Sequence, residues 1–235
     1  MAGLQVQGAG GSVTEVGAFS AKGLHIIAKP HDYGALGHYR AMLTTGTMAA
    51  GMAANGELVQ MRWVDATRFC VITHVKVLEF RNITTAFAAG VFNFNLIRST
   101  AWSADGSGGG AVSVADPQLQ VRAATMGASL FSTGFRLATT AALGAGTKTF
   151  DTLAMGATFG NVGSTPAIAD YMIPKGGGTG PVGGEGIDLG VPDIASGEHP
   201  IVLAANEGIS LRATVPATGT WIASFLIKWC EVTAF

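Results

Sequence analysis

The chain has 235 residues, of which 12% are charged, 48% are apolar and 34 are glycine. Soluble domains carry about a quarter charged residues, so this surface is short of the charge that keeps monomers apart and reads as surface covered by other protein. The formal net charge is −1, and Lys and Arg are scattered singly from Lys22 to Lys228, without the basic run or stripe of a nucleic-acid binder.

A membrane is not the expected cover. The charge-free stretches Thr152 to Ala169, Ala41 to Gly56 and Asn82 to Ile97 are broken by Gly, Thr, Asn or Pro, whereas a spanning helix needs about 20 consecutive apolar residues. No basic residue precedes Lys22 and no continuous apolar core lies before it, so no secretory signal is expected and synthesis and retention in a cytosol is the default. The two cysteines, Cys70 and Cys230, sit in apolar β-like runs and read as buried free thiols rather than metal ligands or a redox pair.

Residues 1–22 mix Gly, Ala and Val without periodicity and are expected to form an extended arm ahead of a single domain over 23–235. The arm's apolar side chains Leu4, Val6, Val13 and Phe19 would then pack on a neighbouring subunit. From Glu57 the pattern is β: Glu57, Val59, Met61 and Trp63 alternate with Leu58, Gln60, Arg62 and Val64. In Phe69 to Phe80, Cys70, Ile72, Leu78 and Phe80 would share one face with His74 and Lys76, and Phe69, Val71, Val75 and Val77 the other. Apolar residues on both faces mark a strand covered on both sides.

Gly90 to Arg98 gives the cleanest alternation, with Phe92, Phe94 and Leu96 opposed to Asn93 and Asn95. Asp105 to Gly110 is a flexible loop, and Asp116-Pro117 would cap a short helix through Arg122. Phe135 to Thr140 and Thr147 to Leu153 are expected strands joined by the turn Leu143 to Gly146. A Gly/Pro-rich loop excursion occupies the region near 156–200. Ile201 to Ala204, Ile209 to Val215 and Trp221 to Val232 would close the chain as a three-stranded antiparallel meander. In its last strand Trp221, Ala223, Phe225, Ile227 and Trp229 point one way, a row that must face a core. Short strands, Gly/Pro turns and the lack of helical periodicity predict an all-β antiparallel sandwich of jelly-roll type.

Chemical motifs are weak. Gly178 to Gly183 matches GxGxxG in form, but its flanks are Gly and Pro rather than the strand and helix of a dinucleotide loop. Gly146-Thr147-Lys148-Thr149 is no P-loop. His31, Asp32 and His38 form the one local histidine cluster, without a zinc spacing, and no GxSxG elbow occurs. Carboxylate pairs such as Asp65 with Glu79, or Asp188 with Asp193, have no supporting pattern. No catalytic residue, metal or cofactor is therefore assigned. Met42, Met48, Met52 and Met61 read first as core filling, with Met48 and Met52 as further candidates for subunit contact.

Tyr39 to Trp63 (YRAMLTTGTMAAGMAANGELVQMRW) and the segment from Ile201 to Val232 (IVLAANEGISLRATVPATGTWIASFLIKWCEV) resemble virion structural proteins of tailed bacteriophages. The likeness lies in the small-residue turns, the Asn-Glu-Gly turn and the Ala-Thr-Gly-Thr-Trp turn into a Trp-containing strand. The resemblance implies a capsid decoration or cement protein, a homotrimer on the virion surface that clamps neighbouring major capsid subunits. The long helix expected of the shell-forming capsid fold is not evident in the sequence. The alternative is a tail or fibre module that recognises host glycans through Tyr33, Trp102 and Tyr171.

Overall fold

The computed structural model describes residues 5–7, 13–15, 38–113, 128–131, 134–161, 186–190 and 199–233. By its contacts the chain divides into Met1–Asp32 and Tyr33–Phe235. In the first unit β1 (Gln5–Gln7) pairs antiparallel with β2 (Val13–Glu15), Gln5 opposite Glu15 and Gln7 opposite Val13. The expected extended arm is thus doubled back on itself here. The five residues between the strands, Gly8 to Ser12, are of the small types that permit a reversal. Val6 and Val13 lie in this ladder, while Leu4 and Phe19 fall outside the described residues.

The second unit is an all-β sandwich, and no helix occurs among its described residues. Its strands are β3 (His38–Thr44), β4 (Gly56–Trp63), β5 (Phe69–Asn82), β6 (Gly90–Ala104), β7 (Gly110–Ala111), β8 (Phe135–Leu137), β9 (Thr147–Asn161), β10 (Ile187–Gly190), β11 (Ile201–Leu203), β12 (Glu207–Thr214) and β13 (Trp221–Val232). Sheet I has the order β10-β5-β13-β3, with β11 also on β5; sheet II has the order β7-β8-β4-β12-β6-β9. Each described pairing is antiparallel.

The row predicted on β13 faces the core: Trp221, Ala223, Phe225, Ile227 and Trp229 are fully buried. One aromatic cluster gathers at each end of that strand. Phe80 lies 5.1 Å from Trp221, 5.0 Å from Phe92 and 5.2 Å from Phe94, ring centre to ring centre. At the other end Trp229 stacks on Tyr39 at 5.6 Å and meets Phe131 edge-on at 5.6 Å. Burial of each such ring stabilises the fold by about 1.5–3 kcal/mol, which explains why the two sheets hold without disulfides.

Bulges correct the simple alternation read from the sequence. Along β13, Ser224 opposes Glu79 but Phe225 opposes Val77, and Lys228 opposes His74 but Trp229 opposes Ile72. Leu78 and Thr73 are therefore extra residues on β5, and each reverses the side on which its successors lie. Cys70, Ile72, Val75, Val77 and Phe80 face the core, while His74 and Lys76 turn outward. On β4 the same device operates at Leu58: Leu211 opposes Val59 and Arg212 opposes Glu57. Leu58 joins the core cluster, and Glu57 leaves the face of Val59, Met61 and Trp63 on which simple alternation had put it.

The expected meander is not formed. β11 joins β5 in sheet I, β12 lies between β4 and β6 in sheet II, and β13 returns to sheet I. Both turns carry the chain between layers, because each strand has an apolar face to bury and the opposite layer supplies the partner. Likewise β8 and β9 are not a hairpin: β8 pairs with β4 and β7, whereas β9 is the far edge strand beside β6. The excursion near 156–200 also contains regular structure, since β9 continues to Asn161 and β10 pairs with β5. The helix expected over Asp116 to Arg122 lies outside the described residues.

β3 was not foreseen. It alternates strictly, with Tyr39, Ala41 and Leu43 buried and His38, Arg40, Met42 and Thr44 exposed. Its signal is weak in the sequence because the buried position holds Ala41 and the exposed one Met42, the reverse of the usual contrast.

Candidate functional site

The outer face of sheet II carries a closed ionic cluster. The bulge at Leu58 brings Glu57 and Gln60 to the same face although they are three residues apart. Gln60 Nε2 donates to Glu57 Oε2 at 2.8 Å and to the Gly144 carbonyl at 2.8 Å, and Gln60 Oε1 accepts from Gly106 N–H at 3.1 Å. Lys148, at the start of β9, donates from Nζ to Glu57 Oε2 at 2.6 Å and to the Ala145 carbonyl at 2.7 Å. The Lys148 and Glu57 side chains are 1% and 5% exposed.

Below them the Trp102 ring lies 4.1 Å from Lys148 Nζ, and the Trp102 indole N–H donates to the Ala104 carbonyl at 3.0 Å. Burial lowers the Lys148 pKa from its ordinary range, and the hydrogen bond and charge of Glu57 oppose that shift. Every polar group named here has a partner within the chain. The cluster ties the Ala104–Gly110 and Leu143–Lys148 segments to β4, which is a structural task. Trp102, proposed as an exposed glycan platform, is fully buried under Lys148 and has no free face for a sugar. Tyr33 and Tyr171 lie outside the described residues.

A second buried acid closes one end of the sandwich. Glu231 continues the inward row of β13 and is 1% exposed. Glu231 Oε1 accepts from Ser129 Oγ at 2.6 Å, from Leu130 N–H at 3.0 Å and from the Trp229 indole N–H at 3.3 Å. Burial raises the Glu231 pKa, and these hydrogen bonds oppose the rise. Both thiols are free and buried, as expected. Cys70 faces the core beside Glu231, and Cys230 lies on the outer side against Val71 and Val232. Burial drives the Cys70 thiol well up, and pushes Cys230 up to about 12, so neither is a nucleophile near neutral pH.

Among the described residues no group of three or more His, Cys, Asp or Glu is placed to hold a metal ion. No described helix is long and apolar enough to cross a membrane. The large apolar side chains left exposed among the described residues are Met42, Val64, Phe69, Val91 and Met155. Met42 is 64% exposed on the edge strand β3, Met155 is 44% exposed on the edge strand β9, and Val91 is exposed on β6 beside β9. Of the methionines named as subunit contacts, Met48 is fully buried in this chain's own core, bridged to Trp221. Met52 is half-buried against the same core. Neither offers a free face as large as that of Met42. Exposure at Met42 was invisible in the sequence because β3 itself was unrecognised.

Comparison with protein-family models, with curated proteins and with solved structures finds no match to this chain.

Proposed function

We propose that this chain is a non-enzymatic structural subunit of a bacteriophage virion, a jelly-roll-type decoration or cement protein that binds neighbouring major capsid subunits and associates with copies of itself as a trimer. The observation that carries this reading is the edge of sheet II. β9 is a fifteen-residue strand whose outer side has no ladder partner among the described residues. From Thr152 to Asn161 it contains no charged residue and no proline. Soluble monomers blunt such edges with Lys, Pro or brevity, because an unpaired run of backbone N–H and C=O groups recruits further strands. The ten-residue stretch from Thr152 to Asn161, without those devices, fits an edge that is covered in an assembly. The low overall charge and the likeness to virion proteins support the same reading.

The reading is tested by placing a charge on that edge. Thr152→Lys, at an exposed position of β9, is expected to leave the sandwich folded and to reduce self-association in light scattering and occupancy on imaged particles. Wild-type protein that is a stable monomer and is absent from particles would overturn the proposal.

A further inference from the structure

The outer face of sheet I collects charge that the linear sequence disperses. Residues directly opposite one another on antiparallel strands share a face. The register places Arg40 of β3 opposite Lys228 of β13, and Lys228 opposite His74 of β5. The next row across the sheet is Met42, Leu226, Lys76 and Asp188. His38 lies in the row before, opposite Cys230, and Arg81 lies further along β5, opposite Ile222. The bulges at Thr73 and Leu78 create this surface, since they turn His74 and Lys76 outward and then return Phe80 to the core.

The charges on this face are not balanced within it. Asp188 Oδ1 lies 3.0 Å from His74 Nε2 and 3.4 Å from Lys76 Nζ, and Glu79 Oε1 lies 3.0 Å from Arg81 Nε. Arg40 and Lys228 have no ion pair among the described residues. Two cations directly opposite on adjacent strands repel each other, so their placement costs the isolated chain stability. An anionic partner reverses the sign of that term. The face also holds apolar side chains between its charges, Met42, Leu226 and Ile222.

Nucleic acid fits this surface poorly. No Phe, Tyr or Trp stands on this outer face in the rows from Arg40 to Arg81 to stack a base, and its one imidazole, His74, is held by Asp188; the two cations without an internal partner fall far short of a phosphate track. A protein face on which carboxylates alternate with apolar residues complements both the surplus cations and the apolar side chains between them. We infer that the outer face of sheet I, centred on Arg40 and Lys228, is the docking surface for an acidic protein face. Within the proposed function that face belongs to the capsid shell, so the partner's identity rests on the cement reading while the surface itself does not.

The test uses the full chain and the double variant Arg40→Glu, Lys228→Glu, with Arg40→Gln as a milder second variant. Each is titrated with poly-L-glutamate and with duplex DNA at low and raised salt, and each is added to particles lacking the protein. The wild type is expected to prefer polyglutamate to DNA and to lose affinity as salt rises. The double variant is expected to lose about tenfold or more in polyglutamate affinity, with Arg40→Gln intermediate and the near-ultraviolet circular dichroism unchanged. Equal polyglutamate binding by wild type and both variants, or tighter binding of DNA, overturns the inference. Full occupancy of particles by the double variant overturns the surface and spares the cement reading. Wild type that ignores particles, yet binds polyglutamate through Arg40 and Lys228, sinks the cement reading and upholds the surface.

Discussion

The outer faces of the two sheets use the same residue types in opposite ways. On sheet II, Lys148 and Glu57 are buried, in contact, and enclosed by Gln60, Trp102 and two backbone carbonyls. On sheet I, Arg40 and Lys228 stand opposite each other with no ion pair among the described residues and Met42 exposed beside them. A satisfied ionic cluster under a loop holds the fold together, whereas an unsatisfied cationic row on an open face has a use only when something else meets it. The difference is one of completion: the first cluster closes within the chain and the second does not.

The largest effect is expected at Lys148. Lys148→Ala leaves Glu57 buried without its cation and is expected to destabilise by about 3–5 kcal/mol in chemical denaturation, while Glu57→Leu with Lys148→Met recovers most of that loss. A loss under about 1 kcal/mol for the single variant would show that the pair is not the tie described. Next comes Gly208, where a Cβ would meet the Met61 carbonyl and the Trp102 ring. Gly208→Ala should cost about 1–3 kcal/mol by lifting Trp102 from the sheet, read as a change in tryptophan fluorescence alongside the lower midpoint.

A pH experiment separates Glu231 from both outer faces. Its folded pKa lies above the ordinary carboxylate value, so its favourable contribution is fully present below that ordinary value and is lost as pH rises through the folded pKa. Glu231→Gln is therefore expected to be more stable than wild type near neutral pH and to converge with it in acid, as followed by thermal melts across pH. His38 and His74 have lowered pKa values, with burial the first cause of each. Their contribution is present above the ordinary histidine value and is lost as pH falls, which is why the wild type must be compared with the Gln variant rather than read alone. A constant difference between the two proteins across pH would refute the assignment. The smallest effect belongs to sheet I. Arg40→Glu exchanges a like pair with Lys228 for an opposite one and should stabilise the isolated chain by about 0.2–1 kcal/mol; destabilisation would mean that the row is already balanced.

Much of the sandwich was legible because period-two alternation reports burial directly. The row from Trp221 to Trp229 and the row of Phe92, Phe94 and Leu96 face the core as the pattern implied. The pattern failed where one extra residue changes sides. Bulges at Leu58, Thr73 and Leu78 are invisible to alternation because they exist only against a partner strand with fewer residues. Weak contrast hid β3, and Gly-rich composition disguised the end of β9 and the whole of β10 as loop. The candidate contacts fared unevenly for the same reason: Met48 sits in the core and Met42 outside it, a distinction set by strand register and not by residue type.

Local alternation and composition carry the β character of the chain, the burial of its two free thiols and the scarcity of charge on its surface, so these were legible without coordinates. Which strands share a sheet, and which charges meet, is set by pairing between distant segments. Lys148 reaches Glu57 across a gap of 91 positions, and Arg40 meets Lys228 from opposite ends of the described sandwich. Such pairs depend on long-range strand register, and no local pattern encodes them.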